Sequence, residues 1–308
     1  MIATRDAYGE ALRELGTINK DIVVLDADLS GSTKTITFKK EFPERFFNVG
    51  IAEQNLIGTA AGLAAAGKIP FASSFAMFAT GRAFEIIRNS VCYPNLNVKI
   101  AATHAGLMVG EDGATHQALE DISIMRSLPN MVVLSPADGV EAKQCIYKAA
   151  EYDGPVYIRL GRSKVPVIFD EDYKFEIGKG VELKEGKDVT IIATGVMVEK
   201  ALITADKLSE ENISARVINM STIKPIDKNI IIKAAKETKG IVTVEEHNII
   251  GGLGSAVSEV VVENVPTYVE KIGTMDTFGE SGNGNKLLEK YGLGVENIIK
   301  KSKKILSR

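Results

Sequence analysis

Four short apolar runs have no polar alternation: IVVLDAD at 22–28, NVKIAAT at 97–103, MVVLS at 131–135 and PVYIRL at 155–160. A strand with one wet face alternates. A run that stays apolar at successive positions suits a strand buried on both faces, as in a parallel sheet covered by helices. Helical patterns lie between the runs. Tyr8, Ala11, Leu12 and Leu15 keep the i, i+3, i+4, i+7 spacing of one helix face. Phe84, Ile87, Arg88 and Val91 repeat it less cleanly, and 138–152 is a third candidate, with Asp138 or Gly139 near its start. Strand alternating with helix predicts an open α/β fold with right-handed crossovers.

The rhythm breaks at about 161–187, a stretch rich in charge, glycine and turn residues. It restarts with DVTIIAT (188–194), a helix near 197–209, ARVINM (215–220), a helix near 227–238, GIVTVEE (240–246), a helix near 253–263 and PTYVEKI (266–272). The tail, 284–307, looks helical, and its lysines suit a solvated helix end better than a polyanion site. The expected organisation is two open, mainly parallel-sheet, three-layer α/β domains, 1–165 and 188–308, joined by a linker at 166–187. Glycines at 251–255 precede a helix; tight helix–strand packing is a better reading of them than a phosphate cradle.

A net charge of −3 over 308 residues offers no general attraction for nucleic acid or an anionic membrane. The longest apolar segment, 56–79, is interrupted by Lys68 and Pro70, so no membrane span is expected. Cys92 and Cys145 make neither a disulfide framework nor a four-ligand zinc site and read as reduced core residues. The N-terminus carries charge where a signal peptide would need an apolar stretch. A cytoplasmic protein is the expectation.

Open parallel sheets bind ligands at the carboxyl ends of their strands. Four clusters fall at such ends. DADLSGSTKT carries Asp26, Asp28, Ser30 and Ser32. FNVGIAEQNLIG carries a lone acid, Glu53, ahead of a run rich in small residues. THAGLMVGEDGATHQ carries His104, Glu111, Asp112 and His116, and Gly161-Arg162-Ser163 follows the fourth run. Each has a plain alternative. Glu53 could simply favour a helix N-terminus, the four loop residues could serve loop hydrogen bonding or bind a metal, and Arg162 could belong to the linker. Their convergence on one edge is the stronger signal.

FFNVGIAEQNLIGTAAGLAAAGKIPFASSFAMF, THAGLMVGEDGATHQALED and RSLPNMVVLSPADGVEA together closely resemble transketolase, in the half that holds its pyrimidine-binding and C-terminal domains. The likeness covers nearly the whole chain in order. It implies a thiamine diphosphate enzyme of the pentose phosphate pathway that moves a two-carbon ketol unit from a ketose phosphate to an aldose phosphate. In that family the acid at the position of Glu53 hydrogen-bonds N1′ of the cofactor's aminopyrimidine ring. A proton shifted there favours the imino form, which takes the proton from thiazolium C2. Burial penalises a charged carboxylate, and a proton shared with N1′ relieves the penalty.

Other roles carry over position by position. Phe75 and Phe78 match the aromatics against the pyrimidine ring, and Asp28 and Leu29 lie beside the cofactor. His104, Asp112 and His116 match groups that contact sugar hydroxyls and the carbonyl region. Arg5, Ser32 and Arg162 match the grip on the terminal phosphate. Two positions depart: Gly81 stands where many transketolases have a tyrosine, and no proline precedes Ser32.

Thiamine diphosphate is anchored in this family by Mg2+ or Ca2+, held by a GDG segment and a later Asn-containing segment. GEDG at 110–113 has no such partner and matches the substrate loop instead, so this chain is expected to supply no metal ligand. The resemblance therefore implies a separate N-terminal subunit carrying the diphosphate-binding domain and the metal. The active site would lie between chains, and the assembly is expected to be a dimer of heterodimers. Alternatives are a 1-deoxy-xylulose-5-phosphate synthase-like or a 2-oxo acid dehydrogenase beta-like thiamine enzyme, a non-catalytic scaffold, and a metal-dependent hydrolase built on His104, Glu111, Asp112 and His116.

Overall fold

The unalternating runs become the strands Ile22–Asp26, Lys99–Thr103, Val132–Leu134 and Val156–Arg159 of a computed structural model that describes all 308 residues. Phe46–Asn48 and Ile69–Phe75 complete a parallel set of six. Ile69–Phe75 comes from the second part of the long apolar tract, after the helix Glu53–Ala65 has ended. Its Pro70 lies one residue before pairing to Lys99–Thr103 begins, where a missing N–H is tolerated. Across the sheet the order is Thr222–Lys224, Val132–Leu134, Val156–Arg159, Lys99–Thr103, Ile69–Phe75, Ile22–Asp26 and Phe46–Asn48.

The first of these strands comes from the second half of the chain and pairs antiparallel. A five-stranded sheet runs Tyr268–Thr274, Gly240–Asn248, Val189–Ala193, Ala215–Asn219 and Val181–Lys184. Its last strand is antiparallel and lies within the segment expected as a linker. One apolar cluster spans both sheets, from Leu25 and Ile100 to Ile192 and Val257. The α/β class and the open, mostly parallel sheets agree with the sequence reading.

The helix Thr4–Ile18 lays Tyr8, Leu12 and Leu15 on the first sheet beside the helix Gly139–Glu151. Asp138 caps the latter, accepting the Glu141 N–H at 2.8 Å. The segment expected as a helix around 84–91 is instead one α turn, Phe84–Ile86, between π-helical stretches Phe78–Arg82 and Ile87–Cys92. The tail forms two helices, Gly284–Lys290 and Val295–Leu306, separated at Gly292, whose φ of +81° suits glycine. Its Lys301 and Lys304 pair with Glu270 at 2.7 and 2.6 Å. At 251–255 the N–H groups of Leu253 and Gly254 donate to the buried carboxylate of Glu245, and an added Cβ at Gly252 would lie 2.0 Å from it. These glycines therefore pack against the chain's own acid. No helix is long and apolar enough to cross a membrane.

Candidate active site

Every singled-out cluster of the first half follows the carboxyl end of a parallel strand. Glu53 follows Phe46–Asn48, Phe75 ends its own strand, His104 follows Lys99–Thr103, and Arg162 follows Val156–Arg159. Arg5 joins them through the antiparallel pairing of Ile2–Ala3 with Lys164–Val165 and through Thr4, whose Oγ1 accepts the Gly161 N–H at 2.7 Å.

A row of contacts runs along this edge. Glu53 is 3% exposed and opens the helix Glu53–Ala65, where the dipole also favours its charge. Arg82 Nη1 donates to both of its oxygens, at 3.2 and 3.1 Å. The same guanidinium lies 4.7 Å from the centre of the Phe78 ring. Phe78 stacks on Phe75 at 6.0 Å, and Phe75 stacks on His104 at 3.8 Å. His104 Nε2 lies 3.2 Å from Arg5 Nη1, and Arg5 also donates to the Ser32 carbonyl at 3.0 Å. His116 meets the edge of Phe78 at 5.2 Å. Of the residues singled out, Glu53, Phe75, Phe78, His104, His116, Arg5 and Ser32 are thus joined. Ser32 meets Arg5 through its backbone.

His104 has a left-handed backbone, φ +57°, which turns its ring back over the strand end. Arginine can only donate, so Nε2 must accept, and Nδ1–H donates to Thr103 Oγ1 at 2.9 Å. Burial, then Arg5 and Arg162, push its pKa down to about 3. A neutral imidazole that accepts at Nε2 can orient a hydroxyl; it does not store a proton. The linkage sign follows. The unfolded chain protonates this histidine below about pH 6.5 and the folded chain does not until about pH 3, so its contribution to stability is lost as pH falls through that window. His104→Asn, which tolerates the left-handed backbone, should give urea midpoints that depend less on pH between 6.5 and 4.5 than those of the wild type. Parallel curves would show that the ring charges freely.

Arg5 and Arg162 share a cavity of about 280 Å³ with Lys164 and, from the second half, Asn283 and Asn285. Arg5 Nε is buried without a partner. Burial foremost, with Arg162 nearby, lowers the pKa of Arg5, partly offset by Asp6. Two arginines beside an unmet donor form a site that an anion would complete. Arg162 also bonds the Val109 carbonyl at 2.5 Å and lies 3.5 and 3.6 Å from Glu111 and Asp112. Asp112 therefore joins the site through Arg162. No group of three or more His, Cys, Asp or Glu is arranged to hold a metal ion, so the hydrolase alternative finds no support in the geometry.

Asp28 and Leu29 sit on the loop after Ile22–Asp26. Asp28 has φ +65° and is exposed, and its N–H and carboxylate both bond Asn48. Asp26, buried beneath, accepts the Leu29 N–H and the Thr33 and Thr35 hydroxyls and shapes the loop. Burial raises its pKa against those bonds.

Sequence reasoning missed two groups. Arg82 is one; nothing in its spacing marks it. The other is Glu246, on the second sheet, which accepts the Met108 N–H at 2.5 Å inside the loop segment Leu107–Asp112. His247, in the same strand as Glu246, accepts the Ser123 N–H at Nε2 and donates from Nδ1 to its neighbour's carbonyl.

A family model for the transketolase pyrimidine-binding domain matches residues 1–167, and one for the transketolase C-terminal domain matches 178–298. A chain from Methanocaldococcus jannaschii named as a transketolase C-terminal section is 58% identical over 96% of this chain and 94% of its own length. The 6-deoxy-6-sulfo-D-fructose transketolase subunit SqwH of a Clostridium species is 42% identical over 99% and 94%. A solved structure described as a split-gene transketolase, an inactive beta4 tetramer, superposes with a TM-score of 0.94 at 60% identity, covering 100% of this chain and 99% of that one. Matched over both halves by these models and relatives, the chain belongs to the transketolase family, whose chemistry depends on thiamine diphosphate.

Proposed function

We propose that the chain is the C-terminal subunit of a two-subunit transketolase that moves a two-carbon ketol unit from a ketose phosphate to an aldose phosphate. The observation that carries this reading is the row from Glu53 to Arg5, with a buried acid and an aromatic wall at one end and an unmet arginine donor at the other.

The residues at the first end fit an aminopyrimidine. A buried carboxylate faces a planar donor, a phenylalanine ring lies beneath that donor, and the groove that holds Glu53 and Arg82 measures about 490 Å³. When bound, the cofactor supplies a carbon nucleophile for the ketose carbonyl. Glu53 holds the proton at ring N1′, Phe78 supports the ring face, and Phe75 fixes both Phe78 and His104. Neutral His104, accepting at Nε2, takes a hydrogen bond from a hydroxyl beside the carbonyl region, and His116 and Asp112 orient other sugar hydroxyls. Arg5 and Arg162, with Ser32 nearby, grip the phosphate. Asp28 and Leu29 line the cofactor's side of the edge.

The partner is an N-terminal subunit that carries the diphosphate-binding domain and its Mg2+ or Ca2+, in a dimer of heterodimers within the cytoplasm. Two relatives bear the word subunit or section at nearly this length, and the split-gene neighbour is described as inactive when it is a beta4 tetramer. Ile51 and Phe278, 76% and 81% exposed, stand at the rims of two cavities beside the site, where a second chain would cover them.

The test mixes the chain with that partner, thiamine diphosphate and Mg2+. Xylulose 5-phosphate should be cleaved and pyruvate left untouched, and the chain alone should turn over nothing. A sulfo-ketose serves as a second arm, because SqwH is named for one and a sulfonate would also suit two arginines. Arg162→Ala should raise KM for the phosphorylated donor about 10–100-fold, as expected for one lost charge-assisted bond, and change KM for an unphosphorylated ketose little. Pyruvate turnover, or equal KM effects on both donors, would overturn the assignment.

A further inference from the structure

The acid that family chemistry requires to be free for a cofactor ring is already taken. Both Glu53 oxygens are held by one guanidinium, and the same guanidinium covers the face of Phe78, the wall assigned to that ring. Arg82 thus makes, from within the chain, the two contacts an aminopyrimidine would make: a planar donor on the carboxylate and a contact over the face of the aromatic. Its side chain is 56% exposed while that of Glu53 is 3% exposed, so the arginine has an open way to solvent and the acid has none.

The backbone explains how it gets there. Phe78–Arg82 is a π-helical stretch, a rare geometry that recurs at functional sites. The Arg82 carbonyl accepts from the Gln54 side chain at 3.3 Å, which ties this turn to the helix that begins at Glu53.

We propose that Arg82 is the resident counter-ion of Glu53: it pairs with the acid and orients it while the groove is empty, and it must swing into solvent before an aminopyrimidine ring can enter. This rests on the thiamine reading of Glu53. A buried carboxylate left without a counter-charge is strongly unfavourable, so the empty chain needs an occupant. Binding therefore exchanges one planar donor for another. The fraction of molecules with Arg82 out sets how far the apparent cofactor affinity falls below the intrinsic one.

Two measurements test it. In the complex with the diphosphate-binding subunit and Mg2+, thiamine diphosphate is titrated and followed by near-UV circular dichroism. Arg82→Gln should bind at about tenfold lower cofactor concentration than the wild type, with Arg82→Lys, a charge without the planar fork, in between. In the chain alone, Arg82→Gln should lower the melting temperature by about 5 °C and should do nothing further in a Glu53→Gln background. Equal or weaker cofactor binding by Arg82→Gln, or the same drop in melting temperature with Glu53 already replaced, would overturn the proposal while leaving the thiamine reading intact. A wild-type complex that binds no thiamine diphosphate would overturn that reading and the proposal with it.

Discussion

In the assembled enzyme, Glu53→Gln is expected to lower turnover by about 10²–10⁴-fold, the range carried by a positioned acid or base. The substitution keeps the shape of the side chain and removes its capacity to hold the proton that the proposed function assigns to it at the ring. Its position makes the effect chemical. Glu53 opens a helix, lies almost wholly inside, and no other carboxylate lines its groove. Glutamine also removes the charge that Arg82 balances, so the fold loses an ion pair and gains no bare acid. The measurement is kcat with saturating cofactor and ketose phosphate, for wild type, Glu53→Gln and Glu53→Ala, each first shown to assemble with the partner. Near-wild-type kcat in either variant would remove Glu53 from the mechanism.

The largest expected effect on stability lies at Arg159. Its Nε donates to Asp121 at 2.8 Å, Nη2 reaches the Glu246 carbonyl at 2.9 Å, and Nη1 is 3.9 Å from the Glu246 carboxylate. Tyr157 adds a second hydrogen bond to Asp121, at 2.7 Å. All three charged groups are buried, at 7%, 0% and 2% exposure. Arg159→Ala leaves two acids inside without a counter-charge, and the expected loss is about 3–5 kcal/mol. Burial already lifts Glu246 to a pKa of about 7, with Arg159 pulling it down.

The sign of the pH dependence follows from that shift. A carboxylate raised in the folded state binds its proton more readily there than in the unfolded chain. Its contribution is therefore full below the unfolded value and is lost as pH rises through about 7. Without Arg159 the shift grows, so the variant should be hurt more at pH 8 than at pH 5. Urea unfolding at the two pH values checks this; a loss under about 1 kcal/mol, or one equal at both, contradicts the 3–5 kcal/mol expected of a broken buried pair. Because Glu246 also holds the Met108 N–H, the same variant should loosen the loop that carries Asp112.

Much of the scaffold was legible in the sequence because two-sided burial leaves a local mark. IVVLD, KIAAT and VYIR are apolar enough to be read as strands without knowing their neighbours. The second half was equally readable, its helices 197–209, 227–238 and 253–263 lying within a residue of Met197–Glu210, Lys228–Glu237 and Leu253–Asn264. Phe46–Asn48 escaped because it is three residues long with one buried side chain. Thr222–Lys224 escaped because its pairing crosses from one half of the chain to the other, and no local pattern reports such a partner.

The amino-acid order by itself determined the α/β class, the edge on which the chemistry-bearing residues collect, and the family, since strand runs and motifs are properties of neighbours in the chain. Only the tertiary structure decided what those residues touch. Arg82 meets an acid 29 positions away because a π-helical stretch turns it there, and one residue's change of register on a helix rotates a side chain by about 100°. Arg159 gathers carboxylates 38 and 87 positions distant, and the second half's Asn283 and Asn285 reach the arginine cavity. Contacts of that span depend on how the sheets and helices close on one another, and a pattern read along the chain carries no record of it.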